Sequence, residues 1–146
     1  MSNEIDHAWV EVLQRCDLQV VEECAVDALP VNSAIYAVNG VGVEPVASIP
    51  FSSPEAMGEL SRVWHARSTG LPLYDQEGRF LLMPPGAGGS KVGWVKVRDR
   101  TGTGLPSRIA SVTGSPEFMA LSLDGCRICA VSIEDYEYWV IVHEFT

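Results

Sequence analysis

The chain has 146 residues, 47% of them hydrophobic, and a formal net charge of −9. That length is one domain by the usual size prior and enough to bury a real core, and the charge argues against non-specific binding of nucleic acid by the whole surface. No apolar run approaches the ~20 residues of a membrane span, and Met1-Ser2-Asn3-Glu4-Ile5-Asp6 has neither the basic nor the apolar stretch of a signal peptide, so the expectation is a cytoplasmic protein with no membrane contact.

Asn3 to Cys16 predicts an amphipathic helix. Ile5, Trp9, Val12, Leu13 and Cys16 form one stripe of a 3.6-residue period, with Ser2 or Asn3 as cap and Glu4 and Asp6 in the first turn. Leu18 to Leu29 fits both periods; the β-branched pair Val20-Val21 tips its start toward a strand. Ala34–Val38 and Val43–Ile49 read as strands around Asn39-Gly40-Val41-Gly42, and Pro45 would put the second at a sheet edge. Ser53-Pro54-Glu55 opens a second helix whose buried stripe is Met57, Leu60, Val63 and Trp64, and Thr69-Gly70 stops it. Leu71–Tyr74 and Arg79–Met83 read as a hairpin across Asp75-Gln76-Glu77-Gly78. Pro84 to Ser90 is a loop rich in glycine and proline, Val92–Arg98 a half-exposed strand, Asp99 to Ser107 a second glycine-rich loop, and Arg108–Val112 a short strand.

The last thirty residues predict a three-stranded meander: Phe118–Leu123, Cys126–Ile133 and Tyr138–Phe145. Asp124-Gly125 is a two-residue hairpin signal of the type I′ kind, which sets Leu121 opposite Ile128 and Met119 opposite Ala130. The second connection, Glu134-Asp135-Tyr136-Glu137, sets Ile133 opposite Tyr138, which brings Arg127 opposite Glu144, a favourable charge pair. Met119, Leu121, Ile128, Ala130, Trp139 and Ile141 then share a mostly apolar face, the expected core face. Phe118, Ala120, Cys129, Val131, Val140 and Val142 share a mixed second face with Ser122 and Arg127, expected to be half covered. The sum is a single α+β domain over 1–146: a largely antiparallel sheet of eight or nine strands with two amphipathic helices.

Charge is unevenly placed. Residues 1–60 hold ten acids against Arg15, and residues 117–146 hold six against Arg127. Between Arg79 and Pro116 the balance reverses, with Arg79, Lys91, Lys96, Arg98, Arg100 and Arg108 against Asp99. The plain alternative is a set of solvated loops and strand edges; the functional one is a local cationic site.

No complete catalytic set emerges. Cys126-Arg127-Ile128-Cys129 has the C-x-x-C spacing, but on a strand the two thiols point to opposite faces, and zinc would need two more ligands. A redox pair would open a helix, whereas Ala130-Val131-Ser132-Ile133 continues a strand; buried structural thiols are the simpler expectation. Cys126 and His143 are diagonal neighbours on one face, yet no third group is in view to orient the histidine, and His65 sits near a helix end. Gly86-Ala87-Gly88-Gly89-Ser90-Lys91 departs from the Walker pattern, because serine precedes the lysine and a strand follows; only a looser anion nest remains, helped by Lys91, Arg98, Arg100 and Arg108. Catalytic residues, metal ligands and cofactors are therefore expected to be none.

The acidic-aromatic turn Glu134-Asp135-Tyr136-Glu137-Tyr138-Trp139 reads as a protein-contact tip, since Tyr and Trp are favoured contact residues and carboxylates steer a basic partner. In general character, as an acidic α+β domain with no motif of its own, the chain is similar to bacterial immunity proteins and other small inhibitor proteins. That class-level resemblance implies a binding protein rather than an enzyme, one that blocks or organises a basic protein through Asp135, Tyr136, Glu137 and Tyr138, with Glu22, Glu23 and Asp27 as a second acidic patch. The alternatives are a small-molecule site or enzyme taking an anionic, phosphate-bearing ligand on Lys91, Arg98, Arg100 and Arg108, and a homo-oligomer subunit using an uncovered sheet face.

Overall fold

A computed structural model of the chain describes residues 8–22, 30–39, 42–85 and 92–145. In chain order the elements are α1 (Ala8–Arg15), β1 (Leu18–Glu22), α2 (Val31–Asn39), β2 (Ala47–Pro50), α3 (Ala56–Gly70), β3 (Arg79–Met83), β4 (Val95–Asp99), α4 (Leu105–Thr113), β5 (Phe118–Leu121), β6 (Arg127–Glu134) and β7 (Glu137–Glu144). The strands form one seven-stranded sheet in the order β1-β4-β3-β5-β6-β7-β2, and every neighbouring pair is antiparallel. The fold is therefore α+β with a fully antiparallel sheet. No described helix is long and apolar enough to cross a membrane.

The meander pairs as its sequence indicates: Leu121 with Ile128, Met119 with Ala130, Ile133 with Tyr138, and Arg127 with Glu144, whose side chains approach to 3.5 Å. Its first turn differs in conformation. Gly125 donates its N–H to the Ser122 carbonyl at 2.9 Å and is the one residue of the turn at positive φ, so the reversal is a four-residue connection over Leu123–Cys126 that keeps the expected register.

Both faces of the sheet are buried, and the larger core lies on the face expected to be half covered. Phe118, Ala120, Cys129, Val131 and Val140 pack there with Phe80, Leu82, Val95 and Val97, beneath Leu13 of α1 and Cys16 just after it, Leu60 and Trp64 of α3, and Leu105 and Ile109 of α4. The i, i+4 spacing of Leu60/Trp64 and Leu105/Ile109 puts each pair on one helix face. Leu121, Ile128, Ala130 and Ile141 form a smaller core on the other face, under Ala34 and Val38 of α2.

Four helices among the described residues replace the expected two. Ala34–Val38 lies inside α2, because Ala34 and Val38 reach the sheet together at i, i+4 and Pro30 accepts the N–H groups of Ser33 and Ala34 at the helix start. Arg108–Val112 lies inside α4: Pro106 occupies its first turn, and Gly114, at φ 90°, closes it with an N–H to the Ala110 carbonyl at 2.8 Å. Leu71–Tyr74 is not a strand. Asp75 instead caps a tight turn, its Oδ1 accepting the N–H groups of Glu77 and Arg79, and β3 takes β4 and β5 as neighbours. Of Val43–Ile49 only the end enters β2, which is an edge strand as Pro45 suggests.

Candidate functional site

The β6–β7 connection is tighter than the four residues the sequence suggests. Glu134 pairs directly with Glu137, leaving Asp135 and Tyr136 as a two-residue turn with φ of 47° and 66°. Both positions need the left-handed region, as in a type I′ turn; Asp135 tolerates it, whereas Tyr136 stands where glycine is usual. The chain following β2 holds this turn in place: the N–H of Phe51 donates to the Tyr136 carbonyl at 3.0 Å. Phe51 also packs against Tyr138, the rings tilted at 45° with centroids 4.7 Å apart, and meets the Tyr136 ring edge-on at 6.3 Å.

The result is an aromatic group at the sheet corner with a carboxylate rim. Tyr136 is 82% exposed and Phe51 42%, while Tyr138 is half-buried against the core. Asp135 is exposed beside them. Glu137 accepts the indole N–H of Trp139 at 3.2 Å, and it stands opposite Glu134 as a like-charge rung. Like charges directly opposite on a sheet destabilise it, and a cation placed between them removes that cost. The structure thus brings Asp135, Tyr136, Glu137 and Tyr138 together and adds Phe51. Sequence reasoning missed Phe51 because the β2–β7 pairing joins segments far apart in the chain; the sole local hint is an aromatic residue directly after a strand.

Of the second acidic patch, the described residue Glu22 is not next to this tip. Glu22 ends β1 at the opposite edge of the sheet, in register with Lys96 of β4. Glu23 and Asp27 lie outside the described residues, as do Lys91 and the glycine loop before it.

The basic segment divides into two kinds of side chain. Arg108 is built into the fold: it donates to the Cys16 carbonyl at 2.7 Å, to the Thr103 carbonyl at 2.8 Å and to Asp99 Oδ2 at 2.9 Å. The Asp99 side chain is 2% exposed, and its other oxygen accepts the N–H groups of Thr101 and Gly102. This buried pair ties the loop after β4 to the end of α1, and the Thr101 hydroxyl donates to Asp17 across the same junction. Arg98 and Arg100 are instead exposed, and both line a polar groove beside β1.

Of the three described thiols, Cys16 and Cys129 are buried as expected of structural groups and Cys126 is not; Cys24 lies outside the described residues. Cys129 is fully buried under α3, and burial pushes its pKa up to about 12. Cys16 is buried, and desolvation raises its pKa as well. Cys126 is exposed, away from Cys129. His143 is exposed opposite Ile128, with its ring 4.6 Å from that of Phe145. His65 is half-buried within α3, its carbonyl accepting the Ser68 hydroxyl. Among the described residues no three His, Cys, Asp or Glu side chains are grouped to hold a metal ion. In comparisons with known proteins, no family model, no curated protein and no solved structure matches the chain.

Proposed function

We propose that the protein is a binding protein of the immunity or inhibitor kind, which docks a basic protein partner on the corner formed by Asp135, Tyr136, Glu137, Tyr138 and Phe51 and so blocks or organises it. The observation that carries this reading is Tyr136: a large ring, 82% exposed, on a turn whose two residues both hold positive φ without glycine. Conformations that cost free energy persist where the surrounding structure enforces them, and they cluster at sites of function. Exposed aromatic rings supply contact area at an interface centre, and the rim of Glu134, Asp135 and Glu137 steers a cationic surface toward it.

The test is capture from a native lysate on immobilised protein, followed by titration of the retained partner. Wild type should retain a cationic protein, and the complex should weaken as salt rises, because the steering charges are solvent-exposed. Asp135→Lys combined with Glu137→Lys should abolish retention, and Tyr136→Ala should weaken it by at least about tenfold, the scale of losing one hot-spot ring. A partner held equally well by the charge-reversed variant would sink the proposal.

A further inference from the structure

At the sheet edge opposite the tip lies a groove of about 850 Å³, whose walls include Gln14, Asp17, Gln19, Glu77, Arg98 and Arg100. Gln19, Arg98 and Arg79 stand opposite one another on β1, β4 and β3, so one amide and two guanidinium groups form a row on one sheet face. The neighbouring arginines repel. Arg79 is relieved from within, since its guanidinium pairs with Asp75 at 2.7 Å and Glu77 at 3.6 Å. Arg98 is not, and neither is Arg100: among the described residues no ion pair or side-chain hydrogen bond engages either guanidinium.

The carboxylates around the groove are mostly taken. Asp99 is held by Arg108 and two backbone N–H groups, and Glu77 by Arg79. Asp17 accepts the Thr101 hydroxyl and, among the described residues of the wall, is the one carboxylate without a cationic partner. Counted with their partners, Arg79, Arg98, Arg100 and Arg108 balance Asp17, Asp75, Glu77 and Asp99, so on a chain of net charge −9 this groove is close to neutral and presents two unpaired guanidinium groups. Among the described residues that line the groove there is no aromatic ring on which a base could stack.

We propose that Arg98 and Arg100 bind the phosphate group of a small sugar phosphate, with the Gln14 and Gln19 amides facing its hydroxyls. The planar guanidinium fork matches phosphate oxygens two at a time. Small-molecule sites run ~300–1,000 Å³, so the groove has room for such a ligand. Arg108 takes no part, because the Asp99 carboxylate and two carbonyls already occupy it.

The experiment titrates the isotope-labelled full chain with ribose 5-phosphate, inorganic phosphate, AMP and free ribose, following backbone amide shifts. Ribose 5-phosphate should move Gln19, Arg98 and Arg100 saturably; inorganic phosphate should act at the same residues more weakly, and free ribose not at all. Arg98→Gln combined with Arg100→Gln should weaken ribose 5-phosphate by at least about tenfold, the scale of losing charge-assisted hydrogen bonds. Arg62→Gln, an exposed arginine of α3 outside the groove, should leave it unchanged. Shifts centred elsewhere, no saturable shift with any phosphate, or undiminished binding by the double variant would overturn the site. AMP binding more tightly than ribose 5-phosphate would overturn the choice of ligand. The wild-type titration decides the matter by itself if the double variant does not fold.

Discussion

Between β5 and β6 the chain reverses over Leu123–Cys126; between β6 and β7 it reverses over Asp135–Tyr136. In the first turn the positive φ of 77° falls on Gly125, where no Cβ opposes it. The Asp124 carboxylate accepts the Ser122 hydroxyl at 2.5 Å and the Cys126 N–H at 3.0 Å, so the turn satisfies its own polar groups. In the second turn positive φ falls on Asp135 and Tyr136, the tyrosine ring stands in solvent, and the closing rung sets Glu134 against Glu137. A side chain in the left-handed region costs roughly 1–2 kcal/mol per residue. One meander thus carries a turn relaxed by its own sequence and a turn strained at one residue, Tyr136. The second turn is held from outside its own sequence, by the Phe51 N–H on the Tyr136 carbonyl, and a local rule broken and then propped in this way is what the proposed binding role accounts for.

The comparison can be broken at several levels, beginning with the core the two turns share. Phe118→Ala removes a buried ring lying 5.1 Å from that of Trp64, and it should cost about 3–5 kcal/mol in urea unfolding. A cost below about 1 kcal/mol would mean that the turns, rather than the packing beneath them, hold the meander together. Gly125→Ala should cost about 1–2 kcal/mol. An added Cβ would meet nothing within 4 Å, so that loss reports backbone strain alone, and an unchanged midpoint would remove the contrast between the turns.

Tyr136→Gly should act in the opposite direction. It should stabilise the chain by about 1 kcal/mol, because glycine adopts φ of 66° freely, while weakening the complex with a cationic partner. Loss of stability in this variant would show that the second turn is not strained. The smallest effect concerns pH. Hydrogen bonds from Ser122 and the Cys126 N–H hold the Asp124 carboxyl below the usual carboxylate range. A depressed folded-state pKa contributes stability that is present above the unfolded value of about 3.9 and is lost as pH falls through the folded value. The stability difference between wild type and Asp124→Asn should therefore be constant near neutral pH and shrink as pH drops below about 4. A difference that persists into stronger acid would detach the carboxylate from the first turn's stability.

The meander register was legible in advance because hairpin pairing is a local matter. Once Leu121 faces Ile128 and Ile133 faces Tyr138, every other rung follows by counting, including Arg127 opposite Glu144. The α3 stripe of Leu60 and Trp64 was legible for the same reason, from a period contained in one segment. Short apolar runs were not. Ala34–Val38 and Arg108–Val112 suit a strand or a helix equally over five residues, and docking onto the sheet selected the helix in both cases. The candidate tip was legible in its four consecutive residues, while Phe51 and the exact turn depended on β2 pairing with β7.

The amino-acid sequence by itself determined the α+β class, the antiparallel meander and the acidic-aromatic corner, because periodicity and neighbouring charges act over a few residues. Tertiary structure alone decided which sheet face carries the larger core, that Cys129 is closed off while Cys126 is open, and that Arg108 is locked to Asp99 while Arg98 and Arg100 face a groove. Those outcomes follow from contacts between distant segments. A residue's own neighbours in the chain do not reveal whether a helix will settle on it or whether a distant carboxylate will reach it.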